Sequence, residues 1–176
     1  MREAVDMDAG GLRERLVMLR ETNGPEAEAY RTLRTNLRFD PRLAGQSGGR
    51  AYLLADGGGV ADRAVVVANL AVACALADER VILVDADLRG MGAGSVSALF
   101  GQAEATAGLT SAITGPEDDR KVVLSLVETA VPNLLLLPAG ARGSSAIDVL
   151  GASGFGILLA ALRADADVVQ IGRAHV

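Results

Sequence analysis

Residues 51–89 run as a short apolar segment, a glycine-rich loop, a long apolar stretch and a second short apolar segment that ends in Asp85-Ala86-Asp87. The two short segments, 51–55 and 81–84, lack polar alternation, so each suits a strand covered on both faces. The stretch 64–77 between them is too long for a strand and reads as a helix. Strand, helix and strand in this order form a βαβ unit, whose crossover lays the two strands parallel. A third apolar segment, 134–137, is bracketed by Pro132-Asn133 and Pro138-Ala139-Gly140, and a further strand is expected to begin at Asp167-Val168-Val169. The expected class is therefore α/β, a mostly parallel sheet flanked by helices.

Ahead of the βαβ unit, Leu12, Leu16 and Leu19 at helical spacing predict a helix over residues 11–21, closed by Asn23-Gly24-Pro25. A second helix is expected over 26–39. Its apolar positions are Tyr30, Leu33, Leu37 and Phe39, with Glu28, Arg31, Arg34 and Arg38 along another face. Pro41 stops it, and 45–49 reads as a linker. Residues 108–115 predict a short glycine-bounded helix, 122–127 fits a strand or a helix equally, and 147–163 predicts a helix. No internal repeat is visible.

Composition narrows the functional classes. Of 176 residues, 50% are hydrophobic and 3% aromatic, which fits one core built of Val, Leu, Ile and Ala. A net charge of −5, with arginines matched by nearby acids, argues against a nucleic-acid partner. The longest apolar run, residues 64–77, falls short of the roughly 20 residues that span a bilayer. Arg2, Glu3, Asp6 and Asp8 leave no room for the apolar region of a secretory signal, so the cytoplasm is the expected compartment. The single Cys74 excludes an internal disulfide and, inside an apolar helix, reads as a buried, inert thiol.

The loop itself departs from what phosphate binding needs. In the pattern G-x-x-x-x-G-K-[ST], backbone N–H groups cradle phosphates, the lysine meets the β/γ oxygens and the hydroxyl holds Mg²⁺. Here the eight positions read Gly57-Gly58-Gly59-Val60-Ala61-Asp62-Arg63-Ala64, and the lone lysine of the chain is Lys121, far away. Ala64 has no oxygen for a metal. Asp62 brings a carboxylate toward the phosphates, which costs roughly 3 kcal/mol for like charges ~5 Å apart at an effective dielectric of ~20. Arg63 keeps the charge, but its planar fork is bulkier than an ammonium. The helix N-terminus behind the loop still offers N–H groups to an anion. Across from it, Asp85 and Asp87 stand at the carboxyl end of a strand, where open α/β sheets bind ligands. A plainer reading has Asp85 capping the next segment and Asp87 merely solvated. Likewise, Glu28, Arg31 and Arg34 read as a solvated helix face with i,i+3 pairs, unless another chain covers them.

Four blocks carry a family resemblance: the helix Glu28-Ala29-Tyr30-Arg31-Thr32-Leu33-Arg34-Thr35-Asn36-Leu37-Arg38-Phe39 with its E-x-x-R-x-x-R pattern, Arg80-Val81-Ile82-Leu83-Val84-Asp85-Ala86-Asp87-Leu88-Arg89, the glycine-bounded turn at 108–115, and Leu136-Leu137-Pro138-Ala139-Gly140. Over residues 25–169 they resemble the cytoplasmic P-loop kinase domain of the bacterial tyrosine kinases that control capsular and exopolysaccharide synthesis. The second block looks like that family's Walker A′ motif. The resemblance implies ATP-dependent protein-tyrosine autokinase ancestry, with ATP and Mg²⁺ as cofactors. It assigns Asp85 and Asp87 to catalysis and the metal, and Gly57, Gly58, Gly59, Arg63 and Ala64 to the nucleotide. Glu28, Arg31 and Arg34 would lie between subunits of a ring, making the chain a homo-oligomer. The implied partner is a transmembrane polysaccharide co-polymerase or activator, separate or fused, which would hold the domain at the inner face of the plasma membrane.

Departures from the family pattern imply that ATP binding and phosphotransfer are impaired. Asp62, Arg63 and Ala64 break the loop, Arg142-Gly143-Ser144-Ser145 lacks the prolines usual in the base pocket, and Tyr30 and Tyr52 do not resemble a tyrosine-rich tail. One alternative is a non-catalytic oligomerising regulatory module of a polysaccharide co-polymerase. Another is a partition-type ATPase relative, although such proteins generally lack the 28–39 helix. The expected organisation is an N-terminal helix and linker at 1–24, a partial kinase-like domain at 25–169 and a non-native tail at 170–176. Gln170-Ile171-Gly172-Arg173-Ala174-His175-Val176 looks like one reading frame of a widely used sequencing adapter, and Gly172 falls where the family has its Walker B aspartate. On that expectation the fold is incomplete at its C-terminus, and the lone His175 carries no functional argument.

Overall fold

The computed structural model describes residues 9–43, 47–55, 63–88, 95–114, 126–141 and 153–172. Strands β1 (Arg50–Leu54), β2 (Val81–Asp85), β3 (Val127–Glu128), β4 (Leu134–Leu137) and β5 (Val168–Gly172) form one sheet in the order β1-β5-β2-β4-β3. All pairings are parallel except that of β3 with β4. The helices are α1 (Ala9–Arg15), α2 (Val17–Arg20), α3 (Pro25–Arg38), α4 (Arg63–Ala75), α5 (Val96–Leu99), α6 (Leu109–Thr114) and α7 (Ser153–Asp165). The expected α/β class, a mostly parallel sheet between helices, is what the chain adopts.

Strand alternation divides the core into two layers. On one face, Val81, Leu83, Leu134, Leu136 and Val168 pack with α4 and the N-terminal helices. On the other, Ile82, Val84, Leu137, Val169 and Ile171 pack with α6 and α7. Both faces being covered explains why β2 and β5 are buried along their whole length and why their sequences lack polar alternation. Helix α4 is apolar almost all round because sheet and α3 enclose it, burying ten of its residues, from Ala64 to Ala75. Burial on this scale, worth roughly 1.5–3 kcal/mol per large aliphatic side chain, outweighs the modest helix propensity of its valines.

The N-terminal helix differs from its expected form. It breaks at Leu16, whose backbone is extended (φ −102, ψ 114), giving α1 and α2. Leu16, Val17 and Met18 are all buried. Three consecutive residues span roughly 200° of a helix, so an unbroken helix lying on the core would turn one of them outward. The break also frees the Met18 N–H, an unpaired donor in the first turn of α2, to donate to Asn69 Oδ1 at 3.0 Å. Asn69 in turn donates to Val65 O at 2.9 Å, so the one amide inside α4 is used on both sides.

Helix α3 starts with Pro25 in its first turn, followed by Glu26 and Glu28, and ends with Arg38, which suits both its first-turn geometry and its dipole. Its inward stripe is Ala27, Tyr30, Arg34 and Leu37, at i,i+3,i+4 spacing. Leu33 and Phe39, expected to be buried, are 40% and 74% exposed, because both fall off that stripe. Arg34, expected among the outward polar residues, lies on it. At the foot of the helix Glu79 is buried between Arg38, 3.7 Å away, and Arg50, tying α3 and β1 to the α4–β2 turn. Of the ambiguous segment 122–127, Val127 opens the antiparallel β3, while 122–125 lie outside the described residues. Strand β5 runs through the domain boundary drawn at 169, as far as Gly172. Among the described residues, no helix is long and apolar enough to cross a membrane.

Candidate functional site at the carboxyl ends of the strands

Parallel strands present their carboxyl ends on one edge of the sheet, and there β1 leads toward the glycine loop while β2 ends in Asp85. Strand β5 lies between them, with Gly172 in register opposite Asp85 and accepting a hydrogen bond from Ala86 N at 2.8 Å. Gly57, Gly58, Gly59 and Asp62 lie outside the described residues. Arg63 is the first residue of α4 and is half-buried, and Ala64 beside it is 5% exposed. The helix expected over 64–77 is thus present, with a methyl group where the pattern G-x-x-x-x-G-K-[ST] has a hydroxyl.

Asp85 is 1% exposed and its carboxylate is already engaged by the chain. Oδ2 accepts from Ser97 N at 2.8 Å and from Ser97 Oγ at 2.6 Å, and Oδ1 accepts from Asp87 N at 3.0 Å. Burial pushes the Asp85 carboxyl above its ordinary value of 3.8, the hydrogen bonds from Ser97 and Asp87 N pull it back in part, and the nearby Asp87 charge adds to the rise. The capping reading of Asp85 therefore describes its geometry. Asp87 is half-buried two residues on, so the structure brings the predicted pair together at the strand end.

Ser97 is the residue that sequence reasoning missed. It sits in α5, whose start is capped by Ser95 Oγ accepting from Ala98 N at 3.0 Å. A serine before a short apolar run was a legible cap signal, but nothing local pointed α5 at Asp85. The Ser97 hydroxyl also accepts from Ala139 N at 3.4 Å, reaching the end of β4. Ala139 O in turn accepts from Thr110 N at 3.0 Å and Thr110 Oγ1 at 2.8 Å. This explains the Gly108-Leu109-Thr110 block. A Cβ at Gly108 would come within 2.2 Å of Pro138 O, and Gly140 opposite has φ +87, so both positions need glycine for the two backbones to meet.

The three candidate interface residues divide. Glu28 and Arg31 form an exposed ion pair at 3.2 Å, and Arg31 also reaches Thr22 O. Arg34 turns inward and donates from Nη1 to Ala73 O at 3.2 Å, near the C-terminal end of α4, where carbonyls lack helical partners. Arg142, Lys121 and His175 lie outside the described residues.

The residues described here do not fit Mg²⁺. Ala64 offers no oxygen, and three of the roughly four acceptor positions of the Asp85 carboxylate are taken. A Cβ at Gly172 would meet Val67 Cγ1 at 2.9 Å, so a carboxylate there would require the Val67 side chain to move aside. Among the described residues, no group of three or more His, Cys, Asp or Glu is placed to hold a metal ion.

A mostly parallel sheet in the order β1-β5-β2-β4-β3, with a glycine-rich sequence leading into α4 and an aspartate at the end of β2, defines a P-loop NTPase-like fold. Solved structures place it more closely. The chimerical protein CapA2B2 superposes with a TM-score of 0.74 at 23% identity, over 91% of this chain and 66% of that one. The BceF tyrosine kinase domain gives 0.71 at 24% identity, over 96% of this chain and 65% of that one. The septum site-determining protein MinD of Pyrococcus horikoshii, complexed with Mg-ADP, gives 0.53 at 23% identity, over 70% and 48%. The chain has the fold of a tyrosine kinase P-loop domain and spans about two thirds of the CapA2B2 and BceF chains. No protein-family model matches the sequence, and no curated protein matches it.

Proposed function

We propose that this chain is a tyrosine-kinase-like P-loop domain that regulates capsular or exopolysaccharide synthesis and export, with ATP binding and phosphotransfer impaired. The observation that carries the reading is the pairing of Ala64 with an Asp85 carboxylate that already accepts three hydrogen bonds from within the chain. Where the fold would hold a metal-bound nucleotide, one oxygen ligand is a methyl group and the other is hydrogen-bonded within the chain. Mg²⁺ bound at such a place would neutralise phosphate charge, and Arg63 at the start of α4 retains only the sequence-independent attraction for an anion. The chain would therefore act through its surfaces. Its partner would be a membrane-embedded polysaccharide co-polymerase at the inner face of the plasma membrane, and it would assemble with further copies through the Glu28–Arg31 side of α3. Support for the polysaccharide setting is the resemblance of the 28–39 helix and the Walker A′ block, together with superposition on a tyrosine kinase domain.

Calorimetric titration of Mg-ATP into the protein, with anti-phosphotyrosine detection, tests the proposal. Binding weaker than millimolar and no phosphotyrosine are expected. Micromolar binding with phosphotyrosine that disappears in Asp85→Asn would overturn it.

A further inference from the structure

The disagreement between this strand end and a metal site has a specific author in the chain. Ser97 is 5% exposed and gives two hydrogen bonds to one oxygen, Asp85 Oδ2, two of the roughly four that a carboxylate can accept. Asp87 N takes one direction on Oδ1, and 1% exposure leaves Asp85 almost no contact with solvent. The Ser97 hydroxyl is held in turn by Ala139 N, so it is anchored to β4 as well as to α5. Hydrogen bonds to a carboxylate are roughly twice as strong as neutral ones, and a cation must displace them before it can ligate the same oxygen.

We propose that Ser97 is a positioning residue that withholds Asp85 from divalent cations, so that α5 occupies from within the place a metal would take. This rests on reading the strand end as an inherited nucleotide site. The carboxylate then serves as a clamp joining the ends of β2 and β4 through α5. Loss of the hydroxyl would free one acceptor position on Oδ2, while Ser97 N would still hold the other.

Mn²⁺, added to the full chain without nucleotide and followed by water-proton relaxation, is the direct probe. Ser97→Ala is expected to bind Mn²⁺ about ten-fold more tightly than the unaltered chain, the worth of one charge-assisted hydrogen bond. Ser97→Thr, which keeps the hydroxyl, should return the affinity to the starting value, and Asp85→Asn on the Ser97→Ala background should abolish the gain. Equal affinity in Ser97→Ala and the unaltered chain, or a gain that survives Asp85→Asn, overturns the proposal. Should Ser97→Ala fail to fold, the carboxyl ¹³C resonance of Asp85 in the unaltered chain decides. An unmoved resonance at millimolar Mg²⁺ supports the clamp, and a shift at that concentration refutes it. Because nucleotide is absent throughout, phosphotyrosine formation by the chain would defeat the proposed function without touching this result.

Discussion

The Arg80 guanidinium grips the Asp167 carboxylate by both oxygens, Nε to Oδ2 at 3.2 Å and Nη2 to Oδ1 at 3.1 Å, while the Arg80 backbone N–H reaches Oδ2 at 2.8 Å. Arg80 O in return accepts from Asp167 N at 2.9 Å and Val168 N at 3.1 Å. The starts of β2 and β5 are thereby stitched together at the pole opposite the candidate site. Hydrogen bonds from Arg80 hold the Asp167 carboxyl below its ordinary value of 3.8.

This stitch should make stability depend on acid in a defined sense. A depressed carboxyl contributes above its unfolded value, and the contribution is lost as pH falls through the lower folded value. The side chains are 63% and 43% exposed, so the expected cost of Asp167→Asn at neutral pH is only about 0.5–1 kcal/mol. Urea unfolding of both proteins should show that gap constant above about pH 5 and closing as the pH falls below the ordinary carboxyl value. A gap that persists in acid would mean the contact does not act through the charge.

Arg31 and Arg34, adjacent on sequence grounds, should separate in stability. Arg34→Ala removes the donor to Ala73 O and packing against α4, and is expected to cost about 1 kcal/mol. Arg31→Ala loses an i,i+3 pair with Glu28 and a surface contact with Thr22 O, and should cost less than Arg34→Ala. Sedimentation of Arg31→Ala, which leaves the fold intact, is then the clean test of a ring contact, and assembly unchanged from the parent would remove Arg31 from it.

Cys74 should be chemically silent. It is 2% exposed, and burial, with the Glu79 charge beside it, pushes its thiol up to about 12. An aromatic disulfide reagent at pH 8 should react only as fast as the protein unfolds, and with a single turn of colour in denaturant. Since the folded thiol is the weaker acid, stability should decline as pH rises above the ordinary thiol value of 9.0. Rapid reaction with the native protein would show that α4 opens locally.

Gln170 offers the opposite kind of test. Fully buried in central β5, it donates from Nε2 to Val67 O at 2.5 Å, and its Oε1 has no partner among the described residues. An unpaired buried carbonyl costs about 1–3 kcal/mol, so Gln170→Leu, similar in volume, should raise stability by about 1–2 kcal/mol. A lower urea midpoint in the variant would indicate that Oε1 is satisfied, for example by a buried water.

Much of this architecture was legible because parallel strands buried on both faces leave unbroken apolar runs. Val81-Ile82-Leu83-Val84 and Leu134-Leu135-Leu136-Leu137 announced β2 and β4, and the length of the run between β1 and β2 announced α4. The faces of α3 were not legible, because Leu33 and Arg34 are neighbours in sequence and only the seat of α3 on α4 decides which of them is covered. The break at Leu16 was hidden for a related reason: three consecutive apolar residues satisfy a helical count and give no sign that all of them are buried.

The sequence by itself determined the βαβ unit, the departure at Arg63 and Ala64, and the place of Asp85 at the end of a strand, since each follows from residue order or from chemistry at one position. Tertiary structure alone decided that β5 enters between β1 and β2, that Arg34 closes on α4, and that Ser97, twelve residues beyond Asp85, takes up its carboxylate. A carboxylate's neighbours are set by how distant segments pack, and hydrophobic periodicity records only which face of each segment is buried, not what it meets there.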